Sequence, residues 1–556
     1  MHDKAKDFFA AFKAGHMSRR ELMSGAAKLG IGAAAANFLL NGAATQALAA
    51  DFDWMKFKGT KLHLLLNKHP YADAMIADLA NFKSLTGMDV TYDIFPEDVY
   101  FDKVTAALSS KSSQYDAFMT GAYQTWTYGP AGWIEDLNQW IKDPAKTSPK
   151  YDWEDVQPNL RASTAWNGVP GGELGSPDAK QWCIPWGFEL NSIAYNRKIY
   201  DKVGVKPAAN LPELIETATK LTKDAGGPYG IGVRGSRSWA TIHPGFLSAY
   251  SNYGQRDFTV AGGKLKAAMN TPESKAFHKM WVKMIQDAGP KNWSTYTWYQ
   301  VGTDLGAGAS ATIYDADILG YFMDGGDNKE KGNLGFHAFA PNPEAKAPTP
   351  NVWIWSLAMN VAGKQKDATW NFMQWASSTE HDMFGARKMD FVNPVRSSVW
   401  KDDEFRNRME KSYNGYLAQY EASAPGAKIY FTAQPLFFDV TTQWAETLQK
   451  MVAKQVPVDD GLDQLAAAKA RADLRTHVLR RSRMVEVRGE RKSPLRRWYQ
   501  SNISGRKSYP FSAERSASHP AQNIPAAYLS GSLTSLFSNP TNSPEKMKHA
   551  GSCRVE

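Results

Sequence analysis

The stretch from residue 61 to residue 121 constrains the fold most, because two hydrophobic periodicities alternate along it. Short apolar runs of strand length, such as KLHLLLN at 61–67, are separated by segments in which apolar residues recur at helical spacing. In order, the predicted strands and helices are 61–67, 71–86, 88–95, 97–110 and 115–120. This β-α-β-α-β order predicts a parallel sheet covered by helices, and ligands bind to such sheets beyond the carboxyl ends of the strands.

The alternation of strands and helices continues along most of the chain, so we predict an α/β fold. At 556 residues the chain is long enough for two or three domains. The further predicted strands are 182–196, 229–234, 307–314, 334–340 and 353–360, and the further predicted helices are 211–225, 274–288, 368–377 and 464–474. No run after residue 49 is apolar for long enough to span a bilayer.

Residues 1–49 have the pattern of an export signal. Arg19 and Arg20 precede a moderately apolar run rich in Ala and Gly, and the sequence at 47–49 matches an A-x-A cleavage site. The arginine pair resembles a twin-arginine signal, which carries folded proteins across a bacterial inner membrane. An ordinary secretory signal is the alternative. We therefore predict a periplasmic protein whose signal is cleaved near Ala49.

The net charge of +9 comes from the two ends of the chain. Residues 477–556 hold fourteen Lys and Arg against five Asp and Glu, and residues 1–49 hold six against three. Since these ends contribute +9 and +3, the region 50–476 carries −3 and offers no basic footprint for nucleic acid. The composition of 477–556 predicts a disordered basic tail. This tail is either a frameshift or read-through artefact or an arm for an anionic lipid or polymer.

The stretch QWCIPWGFELNSIAYN at 181–196 places one carboxylate among aromatic residues. Glu189 follows Trp186 and Phe188, and a carboxylate in apolar surroundings is costly unless something hydrogen-bonds to it. Glu189 is therefore either a surface residue at a strand end or part of a sugar-binding wall. The chain has 19 Trp, a residue type that stacks on the C–H faces of sugars and also fills cores.

Several blocks, taken in order, carry a resemblance to a known family. They are YDAFMTG at 115–121 with AGWI at 131–134, the Pro185, Glu189 and Asn196 block, YGIGVRG at 229–235 with Trp239, ATIYDA at 311–316, and WIWSLAM at 353–359. Together they resemble the extracellular solute-binding proteins of bacterial ABC importers. The resemblance is to the large carbohydrate-binding class, which includes maltose- and polyol-binding proteins.

The resemblance implies two α/β lobes joined by a hinge, with a ligand cleft where the lobes meet. Lobe one would comprise 51–187 and 341–392, and lobe two would comprise 188–340 and 393–476. It also implies a monomeric receptor that closes on a small carbohydrate or polyol. The receptor would deliver this ligand to the transmembrane subunits of an ABC permease.

Candidate ligand-binding residues combine aromatic faces with polar side chains that suit hydroxyl groups. They are Asn67, His69, Tyr123, Gln124, Trp126, Trp186, Glu189, Arg237, Trp239, Asp315, Asp317, Trp353, Trp355, Asn393 and Arg396. Alternatives remain for some of them. Asp317 is placed to cap a helix, and Trp353 and Trp355 are also consistent with core packing. His69 is also consistent with a structural role, and Arg396 with a surface position in a turn.

Enzyme motifs are absent from the sequence: it has no H-E-x-x-H, no G-x-S-x-G and no P-loop. No Cys and His cluster suggests a metal. We therefore predict a binding protein without cofactor or metal. Two alternatives stay open, an exported carbohydrate-active enzyme such as a lyase or hydrolase, and a binder of another solute such as a polyamine or an anion.

Overall fold

The computed structural model describes residues 52–261, 263–324, 327–389 and 393–468. The predicted signal at 1–49 and the predicted tail at 477–556 lie outside the described residues. The predicted last helix, 464–474, lies partly outside them. Residues 458–468 are helical, so this helix begins earlier than the sequence predicts.

The described residues contain both strands and helices as far as Met359, and the regular elements after it are helices. The strands β1 to β11 are Lys61–Asn67, Asp89–Phe95, Ala117–Gly121, Ala165–Trp166, Lys180–Gln181, Ile184–Asn196, Phe258–Ala261, Lys264–Ala267, Thr312–Ala316, Leu334–His337 and Val352–Met359. The helices α1 to α16 are Pro70–Thr86, Glu97–Ser109, Ala122–Tyr128, Asn138–Ile141, Pro158–Ser163, Arg197–Val203, Leu211–Asp224, Gly245–Asn252, Pro272–Ala288, Trp298–Ala307, Asp317–Met323, Lys366–Ala376, Thr379–Lys388, Asp403–Ser412, Tyr416–Ser423 and Phe437–Val452.

A seven-stranded sheet with the order β2-β1-β3-β11-β6-β10 forms the centre of the fold, and β9 also pairs with β6. β1 runs parallel to both β2 and β3, which confirms the prediction from the β-α-β-α-β order. β11 then returns antiparallel between β3 and β6. The carboxyl ends of β1 and β3 therefore lie at one edge of the sheet, next to β11.

β6 connects two parts of this sheet. Its first half, Ile184–Leu190, pairs antiparallel with β11. Its second half pairs with β9 over Asn191–Tyr195 and with β10 over Ile193–Asn196. Because the neighbours of β6 change after Leu190, Glu189 lies where the chain passes from one group of strands to the other.

Helix α1 begins and ends through recognisable local signals. The His69 side chain accepts a hydrogen bond from the backbone N–H of Tyr71, and Pro70 occupies the first turn, where its missing N–H costs nothing. Gly87 ends the helix in a left-handed conformation with φ of 65°. The cap uses Nδ1 of His69, so the other ring nitrogen is left for contacts elsewhere.

Two predicted strands differ from the structure. Residues 229–234 make only isolated bridges, because the N–H groups of Gly230 and Ile231 donate to the carbonyl of Ala288 at the end of α9. The predicted strand 307–314 forms further along, as β9, because α10 and a left-handed turn at Gly308 occupy its first residues. The other predicted elements within the described residues lie within a few residues of the observed bounds.

None of the helices in the described ranges is both long and apolar enough to cross a bilayer. Within the same ranges, no three His, Cys, Asp or Glu side chains are grouped so that they could hold a metal ion.

Candidate ligand-binding site

β6 and β11 share a face on which several candidate residues meet. Glu189 lies opposite Trp353, and Gly187 lies opposite Trp355. Residues opposite each other in an antiparallel pair project to the same face. The ring of Tyr71 covers Gly187 so closely that a Cβ there would lie 2.3 Å from it. Glycine at this position therefore allows α1 to pack directly against the shared face.

The carboxylate of Glu189 is buried, with the residue 6% exposed, which argues against the alternative of a surface residue. Trp355 Nε1 donates to its Oε1 at 2.8 Å, and His69 Nε2 lies 3.7 Å from the same oxygen. Burial and the charge of Glu189 hold the pKa of the neighbouring Tyr71 hydroxyl well above its usual value. Since one hydrogen bond from the described residues reaches this carboxylate, most of its acceptor positions stay open.

An aromatic wall stands beside Glu189. We use this name for Phe101, Tyr123, Trp239, His243, Trp353 and Trp355. Trp353 is central, with ring centroids 5.1 to 5.3 Å from those of Tyr123, Trp239, His243 and Trp355. Phe101 stacks on Trp355 at 6.1 Å with 8° between the planes. Large rigid rings of this kind present apolar faces that suit the C–H groups of a sugar or polyol.

Gly121, at the end of β3, allows the wall to pack closely. A Cβ there would lie 2.1 Å from the Trp353 ring and 2.6 Å from Oε1 of Gln124. We expect Gly121→Ala to displace Trp353 and to lower the free energy of unfolding by about 1–3 kcal/mol, measured in urea. Gly302→Ala within α10 is the matched control, because its Cβ would meet nothing nearer than 3.5 Å. Equal stability of the two variants would contradict this prediction.

Two buried amides lie at the carboxyl edge of the parallel strands. Asn67 ends β1 and Gln124 lies in the first turn of α3, directly after β3, and both residues are 0% exposed. Neither the oxygen nor the nitrogen of either amide has a hydrogen-bond partner among the described residues, and Nε1 of Trp186 is likewise buried without one. Unpaired buried polar groups are costly, so these groups are suited to a ligand that both donates and accepts hydrogen bonds.

A buried ion pair lies next to the wall. Asp315 is 0% exposed, and Arg234 donates to it from Nε at 3.0 Å and from Nη2 at 2.7 Å. Nη1 of Arg234 lies 3.2 Å from Nε2 of His243. Burial, together with the Arg234 charge, holds the pKa of His243 well below its usual value, so this ring is neutral at pH 7 and accepts the hydrogen bond. The guanidinium is thus fixed in place beside the wall.

A second polar group, which we call the hinge cluster, consists of Asp317, Asn393 and Tyr416. Oδ1 of Asp317 accepts from the backbone N–H of Leu190 at 3.1 Å, and Nδ2 of Asn393 donates to the carbonyl of Phe188 at 2.9 Å. The Tyr416 hydroxyl donates to Oδ2 of Asp317 at 2.9 Å. The polar atoms of Asp317 and Asn393 are therefore bonded to the protein itself, at the backbone groups on either side of Glu189.

Comparison with known proteins identifies the family. The model of the bacterial extracellular solute-binding proteins matches residues 67–383. The chain belongs to this family. The resemblance seen in the sequence blocks is thereby confirmed. One relative of this solute-binding protein is the erythritol/L-threitol-binding protein of Mycolicibacterium smegmatis, which is 40% identical over 400 residues, or 72% of this chain and 83% of the relative.

Solved structures confirm the predicted two-lobe α/β fold of this solute-binding protein. The solute-binding protein of Agrobacterium vitis S4 with bound D-mannitol matches with a TM-score of 0.62 and 23% identity, over 75% of this chain and 99% of that one. The ribitol complex from Agrobacterium radiobacter K84 matches with a TM-score of 0.63 and 19% identity, over 74% and 98%.

Three further predicted site residues of this solute-binding protein are Trp126, Arg237 and Arg396. Trp126 packs in the core behind Tyr123 and is 1% exposed. Arg237 forms an ion pair with Glu446, and its side chain is 64% exposed. Arg396 is 0% exposed and donates to backbone carbonyls, including that of Ser377, which excludes the surface position considered for it. The guanidinium groups of both arginines are therefore bonded to other parts of the protein.

The structure also adds three residues that the sequence did not single out. Phe101 lies on the apolar side of α2, a position that periodicity assigns to the core. Arg234 ends the segment 229–234, and its charge after an apolar run was the available signal. No local signal marks His243, because its role depends on contacts with residues remote in the chain.

Proposed function

We propose that this protein is the receptor of an ABC importer, binding a small polyol or sugar and delivering it to the permease. The observation that carries the proposal is the pair of buried, unpartnered amides of Asn67 and Gln124 near Glu189 and the aromatic wall. A carboxylate accepts hydroxyl hydrogens, and an amide both donates and accepts. The wall offers faces for the carbon chain between those hydroxyls.

An acyclic polyol is the first candidate ligand. The relative at 40% identity is named for erythritol and L-threitol, and the two solved structures hold D-mannitol and ribitol. In the proposed complex, Glu189 accepts from ligand hydroxyls and Asn67 and Gln124 complete the hydrogen bonding. Trp355 covers the carbon chain, and Arg234 is a fixed donor because Asp315 holds it.

The proposed transport cycle assigns 51–187 with 341–392 to lobe one and 188–340 with 393–476 to lobe two. β6 then crosses the hinge, and the lobes close on the ligand. Residues 1–49 act as a twin-arginine signal that is cleaved near Ala49, which places the mature protein in the periplasm. The protein acts as a monomer, releases its ligand chemically unchanged, and contacts the transmembrane subunits of the permease.

The proposal is tested with a ligand panel of erythritol, L-threitol, ribitol, D-mannitol, maltose and putrescine. Ligand at a thousandfold excess over Kd adds about 4 kcal/mol to the free energy of unfolding, so Tm should rise measurably. We expect a rise with at least one acyclic polyol and none with putrescine. No rise with any polyol or sugar at millimolar concentration would refute the proposal. New reducing or unsaturated ends on incubated oligosaccharide would indicate an enzyme instead.

A further inference from the structure

The hinge cluster lies where β6 changes its neighbours. β9 pairs with β6 as far as Ala316, which lies opposite Asn191. The next residue, Asp317, begins α11 and therefore does not extend the ladder. Its side-chain Oδ1 accepts the N–H of Leu190 at 3.1 Å instead. A buried carboxylate thus takes the role of a strand carbonyl at the junction, one residue from Glu189.

The other side of Glu189 is held by the same cluster. The carbonyl of Phe188 accepts from Nδ2 of Asn393 at 2.9 Å, and this nitrogen also lies 3.0 Å from Oδ2 of Asp317. The Tyr416 hydroxyl lies 2.9 Å from Asp317 Oδ2 and 2.8 Å from Asn393 Oδ1. Each cluster member is at most 1% exposed. The peptide groups on both sides of Glu189 are therefore bonded to one buried network.

We propose that Asp317 is a positioning residue that fixes the backbone on both sides of Glu189 and so couples ligand affinity to its own protonation. This inference rests on the proposed function of Glu189. Asp317 acts through the backbone and not through contact with the ligand, in contrast to the ligand contact that the sequence suggests.

Ionisation of Asp317 strengthens the hydrogen bonds of this cluster. The N–H groups of Leu190, Ile318 and Asn393 can only donate to the carboxylate, whereas the Tyr416 hydroxyl can donate or accept. Tyr416 can therefore accept a proton of the neutral carboxyl, but the N–H groups then donate to an uncharged oxygen, and such bonds are roughly half as strong as those to a carboxylate. Acidification should therefore loosen the backbone around Glu189 and weaken ligand binding.

The transition should fall near neutral pH. Burial raises the pKa of Asp317 to about 7, and the charge of Glu189 raises it as well, whereas hydrogen bonds from Asn393 and Tyr416 lower it. The other titratable groups that face it are Tyr71 and Tyr420, whose pKa values burial raises, so both are neutral here.

The free energy of unfolding should change with pH in the opposite direction to ligand affinity. This difference separates a positioning role from a general loss of structure. Because the pKa of Asp317 in the folded state, about 7, lies above the ordinary value of 3.8, the folded state holds this proton more tightly than the unfolded state. The contribution of Asp317 to the free energy of unfolding is therefore largest at low pH and falls as the pH rises through 7.

The experiment measures Kd for the polyol with the largest shift in the panel, by calorimetry between pH 5.5 and 8.5. The parent Kd should rise by about tenfold towards pH 5.5, within the usual range of coupling between two sites. Asp317→Asn keeps an oxygen for the Leu190 N–H but cannot ionise. Its Kd should therefore be higher than that of the parent at pH 8.5 and independent of pH. Tyr416→Phe removes a donor to the carboxylate and should move the midpoint of the parent profile to higher pH.

Asp382→Asn is the matched control. Burial raises the pKa of Asp382 to about 7 as well, but its carboxylate accepts from the N–H of Arg396 and not from β6. This variant should keep the pH profile of the parent. An Asp317→Asn profile as steep as that of the parent overturns the positioning role alone. A parent that binds no polyol at any pH overturns this inference together with the proposed function.

Discussion

Replacement of Glu189 by glutamine is expected to weaken polyol binding by about ten- to a hundredfold while the fold is retained. Glutamine has the same size, and its Oε1 can still accept from Trp355 Nε1, the bond that measures 2.8 Å in the parent. The charge is lost, and a hydrogen bond to a charged group contributes about 1.5–3 kcal/mol. Each 1.4 kcal/mol corresponds to about tenfold in Kd. Calorimetry at pH 8.5, where Asp317 is ionised, measures the effect.

Glu421→Gln is the control for this substitution. Its side chain is 53% exposed and pairs with Arg406 on the surface, so its Kd should equal that of the parent. The Tm of ligand-free Glu189→Gln should stay close to that of the parent. If Glu189→Gln bound polyol as tightly as Glu421→Gln, the carboxylate would not be a ligand contact, and its burial beside Trp355 would be purely structural.

The strands and helices between residues 61 and 121 could be predicted from the sequence because their signals are local. Helical spacing in α1 and α2, and strand-length apolar runs in β1 and β2, each depend on residues within one element. The segment 229–234 has the same strand-like composition and yet forms isolated bridges, since the N–H groups of Gly230 and Ile231 donate to the end of α9. Such competition for hydrogen bonds depends on tertiary contacts and leaves no periodic signal.

The candidate site could be predicted from the sequence only where family blocks and strand ends coincide. Glu189, Trp353 and Trp355 follow from the blocks and their alternation along a strand. The roles of Asp315 and Arg396 do not, because each depends on a partner far away in sequence. Arg234 lies 81 residues before Asp315, and the sequence contains many arginines that could serve equally well. Packing decides which buried charged side chains face a ligand and which face an oppositely charged side chain of the same protein.

Arg234→Met is expected to lower the free energy of unfolding by about 3–5 kcal/mol, because it leaves the carboxylate of Asp315 buried and unpaired. Asp315 is 0% exposed and Arg234 is 6% exposed, so water cannot replace the lost donor. Urea unfolding at pH 7 measures the change. Arg406→Met removes the surface partner of Glu421 and should cost less than about 1 kcal/mol. Equal losses in the two variants would show that the buried pair adds nothing beyond a surface pair.

The double variant Arg234→Met with Asp315→Leu separates the two roles of this ion pair. Removing both charges should restore much of the stability lost in Arg234→Met, since no uncompensated charge stays buried. If the pair also serves the ligand, polyol affinity should stay low although the fold has recovered, because the fixed donor beside the aromatic wall is missing. Recovery of affinity together with stability would mean that Arg234 and Asp315 act on the fold alone.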